Sequence, residues 1–254
     1  MERVRTPWQG TWNIVRFNWH FYALAAGAGV ALVLLAGGLA GWPGRLALGA
    51  AGLLGATTVV SLLVSAYVYD GSGLYRLDWL RPLLPAAPAA VVNIHAGLDE
   101  TSARLRQVLR PASLTVLDFY DSARHTERAI RRARRAYPAY PGTLAVRPDQ
   151  LPLPAAHADL VLLMLAAHEI RTAAERAAFL REAGRVLRPG GRIVVVEHLR
   201  DARNLLAYSI GAFHFYSRGS WRRVFGAAGL RLRREVRLTP FLMVFVLTAD
   251  DTAA

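Results

Sequence analysis

Two dipeptides, His168-Glu169 and Glu197-His198, each set an imidazole beside a carboxylate. Histidine titrates near neutral pH, so His168 or His198 could serve as a base for an acceptor that must lose a proton. Residues 91–102, VVNIHAGLDETS, pass from apolar residues to Asn93, His95, Gly97, Asp99 and Glu100, and Asp118 and Asp149 are further isolated acids. The chain has no cysteine and no lysine, which excludes thiolate nucleophiles, disulfides and Schiff-base chemistry. Its histidines and carboxylates show no recognisable ligand spacing, so no metal is expected.

Positioning these groups requires alternating strands and helices. Val91, Val92 and Ile94 form a first strand, and Thr101 or Ser102 caps a helix carrying Ala103, Leu105, Val108 and Leu109. A second strand at 114–118 ends in Asp118, and a helix at 122–136 follows, rich in arginine. A short strand and loop occupy 143–150, a fourth strand 159–165, a helix 173–187 and a fifth, β-branched strand 192–197. An irregular aromatic stretch at 208–216 precedes a helix at 220–227 and an antiparallel pair at 230–238 and 241–247. The order implies an α/β fold: a doubly wound, Rossmann-like, mostly parallel sheet with a C-terminal antiparallel strand pair.

In such a sheet, ligands gather at the carboxyl ends of the strands. Asp118 is then placed to accept hydrogen bonds from ribose hydroxyls, and Asp149 from an adenine amino group. His168-Glu169 and Glu197-His198 border the acceptor side, and His214 and Tyr216 line it.

The N-terminal quarter follows other rules. Residues 1–20 carry Arg3, Arg5, Arg16, Trp8, Trp12 and Trp19 and read as an interfacial segment. Two uncharged runs, 21–41 and 46–68, flank the turn Trp42-Pro43-Gly44-Arg45; the first spans roughly 31 Å as a helix, enough for a hydrocarbon core. They are expected to form a transmembrane hairpin over 21–68, followed by a linker at 69–88, a catalytic domain at 89–248 and a tail at 249–254. Gly37 and Gly41, and Ala51 and Gly55, either let the helices approach closely or reflect GC-rich composition. Arginines flank the outer ends, Arg16 before and Arg76 and Arg81 after, which places both termini and the domain in the cytoplasm of a bacterial inner membrane. The net charge of +13 favours an anionic partner, phospholipid head groups or nucleic acid, and the expected anchor makes lipid the better of the two. Oligomeric state has no signature in the sequence.

The run Phe179-Leu180-Arg181-Glu182-Ala183-Gly184-Arg185-Val186-Leu187-Arg188-Pro189-Gly190-Gly191-Arg192-Ile193-Val194-Val195-Val196-Glu197 is a helix–PGG–strand signature. With Asp149-Gln150-Leu151-Pro152-Leu153 and Ala158-Asp159-Leu160-Val161 ahead of it, the chain resembles class I S-adenosylmethionine-dependent methyltransferases over about residues 67–248. It resembles especially the ubiquinone/menaquinone methyltransferase-like, type 11 group. That resemblance implies S-adenosylmethionine as cofactor, with Asp118 and Phe119 at the ribose, Asp149, Gln150 and Leu151 at the adenine, and Asn93, His95, Gly97 and Asp99 at the methionine end. The family usually has an acid and three alternate glycines where this chain has Asn93, His95, Gly97 and Asp99, so only Gly97 is retained. Asp99 or Glu100 either supplies the missing charge or only favours the helix start. The expected activity is methyl transfer to a lipophilic acceptor, such as a quinone, polyprenyl or lipid head group. The alternatives are a membrane-bound pseudo-methyltransferase serving as a binding module and, more distantly, a nicotinamide-dependent oxidoreductase.

Overall fold

The computed structural model describes residues 5–249, so Arg3 and residues 250–254 of the expected tail lie outside the described residues. Helices α1 (Gln9–Gly38) and α2 (Trp42–Ala66) pack against each other. Each is long and apolar enough to cross a membrane, and Leu24, Leu34, Leu53 and Leu63 project outward, exposed. The expected turn at 42–45 lies inside α2, whose first turn packs closely on the end of α1: a Cβ on Gly44 would lie 2.4 Å from the Leu39 carbonyl oxygen. At Gly37, Gly41 and Gly55 a Cβ would meet nothing within 4 Å, so these glycines do not set the approach of the two helices.

Helix α1 starts twelve residues before the uncharged run at 21 and breaks its regular geometry at Asn18 (φ −113°). Its first turn is capped from afar. The Asp70 carboxylate accepts from the backbone N–H groups of Gly10 and Thr11, each at 2.8 Å, and so answers both the unpaired donors and the positive end of the helix dipole.

Seven strands, β1 (Ala90–His95), β2 (Ser113–Asp118), β3 (Leu144–Ala145), β4 (Ala158–Met164), β5 (Leu187–His198), β6 (Leu230–Thr239) and β7 (Leu242–Ala249), form one sheet in the order β3-β2-β1-β4-β5-β7-β6. β1 to β5 are parallel, and β7 runs antiparallel between β5 and β6. The order reverses between β1 and β4, which opens a crevice at their carboxyl ends. The connecting helices are α3 (Ser102–Leu109), α4 (Arg128–Ala136), α5 (Ala173–Val186), α6 (Ala202–Tyr208) and α7 (Arg218–Ala227).

The sheet is buried on both faces, as a parallel sheet must be. One face packs Val92, Ile94, Leu163 and Val195 against Phe179, Leu180, Trp221 and Phe225. On the other face Val91, Leu160, Val194 and Val244 meet Leu74, Leu77 and Leu80. Residues 69–88 therefore do more than link: three of their leucines are buried, each contributing about 1.5–3 kcal/mol. Sequence periodicity misses this because the segment is built of short turns rather than one regular helix.

Other element boundaries in the domain also differ from expectation. α4 starts at Arg128 rather than 122, because Asp121 and His125 close a separate turn through Asp121 Oδ1, which accepts from the Ala123 N–H, and the Asp121 carbonyl, which accepts from the His125 N–H. β5 begins at Leu187 and carries Pro189-Gly190-Gly191 as its first part; a Cβ on Gly191 would lie 3.0 Å from the Asp159 carbonyl of β4. The aromatic stretch at 208–216 is ordered, with α6 entering it and a 3-10 helix at Ser209–His214 within it.

Candidate active site

The crevice holds two chambers. One, of about 250 Å³, lies at the ends of β1 and β4 and is walled by Asn93, His95, Leu165, Ala166, Ile14 and Phe17. The other, of about 1070 Å³, lies beyond β2 and is walled by Phe119, Tyr120, Arg147, Asp149, Glu169 and Arg171. Glu169 lines both chambers.

At the loop after β1, Gly97 takes φ +94°, and a Cβ there would meet Tyr120 at 3.0 Å and Ile130 at 3.1 Å. The turn and the close packing both require glycine at this position. Asn93 lines the smaller chamber with its amide tied up, donating to Thr101 Oγ1 at 2.9 Å and Ser102 Oγ at 2.8 Å. Asp99 Oδ1 accepts from the N–H groups of Thr101 and Ser102 at 2.9 and 3.0 Å, so Asp99, rather than Thr101 or Ser102, caps α3 by its side chain. Glu100 is taken up by Arg5, Gln9, Asn13 and Tyr75, all of which donate to it and hold the start of α1 over the loop.

His95 is buried, its Nδ1 accepting from the Gly97 N–H at 3.3 Å. That contact leaves the proton on Nε2, which is buried and has no partner, as is Asp99 Oδ2. Burial lowers the His95 pKa against the opposing pull of Asp99 and Asp118, with Arg134 lowering it further, so the ring is neutral at pH 7.

Asp118 ends β2 and forms an ion pair with Arg134 of α4. The Arg134 guanidinium also lies 4.4 Å from the Tyr120 ring centroid and 3.4 Å from the Gly97 carbonyl. Phe119 is buried against Phe179 and lines the larger chamber. Asp149 is held below the ordinary carboxylate range by its hydrogen bond from Arg147, 2.7 Å away. Leu151 is buried and donates its N–H to Glu182, and Gln150 is exposed beside the chamber.

The groups past β4 and β5 converge. His168 Nδ1 lies 2.7 Å from Glu197 Oε2, and the His168 N–H donates to Glu197 Oε1 at 3.2 Å. On its other side His168 Nε2 stands 3.3 Å from Glu169 Oε1, which in turn lies 3.7 Å from His214 Nε2. Burial by itself would lower the His168 pKa, but Glu197 and Glu169 outweigh it and raise the value to about 10. Burial raises Glu169, yet hydrogen bonds with His168 and His214 bring it well below the ordinary range. The ligand atoms of His168, Glu169 and His214 lie within 4.8 Å of one another, close enough to hold a metal ion. The Arg171 guanidinium, 3.3 Å from His214 Nε2, puts a positive charge at that spot and favours proton chemistry over a cation.

His198 has different surroundings. Its Nδ1 is 3.2 Å from Asn204 Oδ1 and 3.1 Å from the Phe241 carbonyl, both acceptors, so Nδ1 carries the proton and Nε2 accepts from the Tyr69 hydroxyl at 3.0 Å. Phe215 stacks on the ring at 4.8 Å. Burial lowers its pKa to about 4, with the His168 charge adding to the effect. Tyr216 lies against Arg176, 3.6 Å from its ring, and donates its hydroxyl to the Arg171 carbonyl.

Sequence reasoning did not find Arg134, Arg171 or Glu127, which stands 3.5 Å from His214. Each comes from a helix or turn remote in sequence, and an arginine-rich helix gives no sign which arginine turns inward.

Residues 94–195 match the family model described as "Methyltransferase domain". Among solved structures, a S-adenosylmethionine-dependent methyltransferase from Aquifex aeolicus superposes with TM-score 0.50 at 16% identity, covering 75% of this chain and 97% of that one. A Haloferax volcanii protein solved with the Trm112 methyltransferase activator gives TM-score 0.50 at 17% identity, with 72% and 96% covered. The [4+2]-cyclase SpnF also gives 0.50 at 14% identity, with 71% and 81% covered. At these identities the likeness is one of fold. No curated protein matches the chain.

Proposed function

Taking as premise that residues 94–195 are a methyltransferase domain on the class I, S-adenosylmethionine-dependent fold, we propose that this chain is a membrane-anchored methyltransferase acting on a lipophilic small molecule. The reading rests chiefly on one observation: Glu169, charged and oriented by His168, lies where the two chambers meet.

The residues present fit the cofactor. Gly97 keeps the left-handed turn, and Asp118 stands at the end of β2 for a ribose diol once Arg134 swings aside. The unpartnered His95 Nε2–H suits a carboxylate and the unpartnered Asp99 Oδ2 suits an ammonium, replacing contacts that a glycine-rich loop would make through its backbone. Phe119 and Asp149 border the larger chamber, where an adenine would lie, and Gln150 follows Asp149 in the chain. When bound, S-adenosylmethionine supplies an electrophilic methyl group on a sulfonium sulfur.

The chain's own residues then align and deprotonate the nucleophile. Much of the acceleration comes from holding the acceptor atom in line with the methyl carbon. The acceptor oxygen or nitrogen would give up a proton as it is methylated. Glu169, a carboxylate held well below the ordinary range by His168 and His214, would accept that proton. His168 positions Glu169 and is itself fixed by buried Glu197, while His198 packs against Phe215, which also touches His168. Ile14 and Phe17 give the smaller chamber an apolar wall on the side where α1 runs toward its exposed apolar stretch, which supports a lipophilic acceptor.

We place α1 and α2 in a bacterial cytoplasmic membrane with both termini and the domain on the cytoplasmic side, from the flanking arginines and the exposed apolar surface of both helices. The arginines of α4 would meet anionic head groups there. The test is incubation of the protein in lipid nanodiscs with methyl-labelled cofactor and a membrane extract. Label in the lipid phase is expected; label confined to water-soluble products contradicts the reading. A second reading, a binding module that no longer takes cofactor, is favoured by the Arg134–Asp118 pair alone.

A further inference from the structure

Large apolar side chains that stand exposed outside residues 8–67 number five among those described, and four of them fall close together: Leu205, Leu206, Ile210 and Phe213, against the isolated Leu144. Leu206 is 78% and Ile210 84% exposed. They belong to α6 and the 3-10 helix Ser209–His214, which Ser209, at φ +50°, joins at an angle. Residues 204–213 contain no charged side chain.

The segment is amphipathic in the reverse sense of a water-facing helix. Its inward residues include a polar one, Asn204, fully buried and bonded to His198, Asp201 and the Phe241 carbonyl. Its outward residues are aliphatic or aromatic. Rotation to hide the apolar side would break the Asn204 contacts and expose Ala207 and Ala212 in exchange for much larger groups.

What covers this face is indicated by its neighbour. α6 packs on α2, with Tyr208 facing Ser65 near the end of that helix. Tyr67, just beyond α2, makes an edge contact with Phe241 at 6.4 Å. The apolar patch therefore continues the exposed apolar surface of α2 at its domain-proximal end, where lipid head groups meet acyl chains if α2 spans a bilayer.

We infer that residues 205–213 are a third membrane contact, seated in the head-group and acyl boundary beside α2, and that they form the bilayer-facing wall of the acceptor entrance. This rests on the membrane anchoring proposed above. The wall is continuous with the site: His214 and Phe215 follow directly, the first beside Glu169 and the second stacked on His198. An amphiphile lying in the bilayer would reach the Glu169 cluster by passing Ile210 and Phe213 without crossing water.

The chain lacks cysteine, so single nitroxide labels can be placed in the otherwise native protein. Leu206→Cys, Ile210→Cys and Phe213→Cys are labelled in lipid nanodiscs, with Leu34→Cys in α1 as the lipid reference and Arg181→Cys, exposed on α5, as the water reference. Collision rates with oxygen, which partitions into lipid, and with a water-soluble nickel chelate are then compared. The oxygen-to-nickel ratio at 206, 210 and 213 should exceed that at 181 by roughly fivefold and stay below that at 34, as for side chains ~5–10 Å into the interface. Ratios equal to that at 181, with 34 in lipid, overturn the inference and leave the anchoring intact. Labels shielded from both reagents overturn it in favour of a protein partner. A water-like ratio at 34 removes the anchoring and this inference with it.

Discussion

His168 and His198 stand at the ends of neighbouring strands, each beside a glutamate in sequence, and the fold gives them different charge states. His168 sits between two carboxylates and is cationic at neutral pH, with a pKa of about 10. His198 sits among neutral groups and stays uncharged, with a pKa of about 4. The difference arises because Glu197, adjacent to His198 in the chain, points across to His168 instead. Neighbouring residues on a strand face opposite ways, so an acid and a histidine in succession are the pair least able to share one environment.

The most damaging way to break this contrast is Glu197→Ala. It leaves a buried imidazolium without its innermost partner, and a loss of ~3–5 kcal/mol in unfolding free energy is expected, together with loss of activity. Denaturant titration checks it; an unchanged midpoint would mean that His168 is not charged. Glu169→Gln, at the junction of the chambers, should lower kcat by roughly 10²–10⁴ while stability changes little. His198→Gln should show the reverse, a stability loss of ~1–3 kcal/mol with kcat within a few-fold of the native value. Steady-state rates beside thermal melts distinguish the two, and a kcat collapse in His198→Gln would return the base role to His198.

The contrast can also be sharpened by pH. Because the folded pKa of His168 is raised above the ordinary 6.5, its stabilising contribution is complete below 6.5 and is lost as pH rises through about 10. Activity that needs this charge should be level across about pH 7–9 and fall toward 10, whereas a free histidine base would give a rate rising through about 6.5. The depressed pKa of His198 acts at the other end: its contribution is present above 6.5 and drains away as pH falls toward 4. Smallest of all, Arg134→Gln should tighten cofactor binding a few-fold, since its pair with Asp118 must open and its side chain is 38% exposed.

Much of the scaffold is legible from residue pattern alone. Alternating apolar runs and the helix–PGG–strand signature locate β1, β2, β4 and β5 to within a few residues, except that β5 starts five residues early, where Pro189-Gly190-Gly191 joins the strand. The buried leucines of residues 69–88 escape the pattern because no regular period links Leu74, Leu77 and Leu80 through three short turns. For the site, the types of residue are legible and their partners are not. Asp118 and Gly97 can be placed from strand ends and turn chemistry, but the facing of Arg134 onto Asp118, of Glu100 onto α1 and of Glu197 onto His168 depends on contacts spanning 16 to 95 residues of chain. The half-retained loop illustrates the limit: Asn93 and Asp99 fill structural positions within it, while His95 keeps a free donor beside the cavity.

The central claim, a methyltransferase that binds its cofactor despite this altered loop, is tested most directly by calorimetry of S-adenosylmethionine against the full chain in nanodiscs. One-to-one binding below millimolar concentration, abolished by Asp118→Ala, is the predicted result. No heat at millimolar cofactor, in both the native chain and Arg134→Gln, would contradict it.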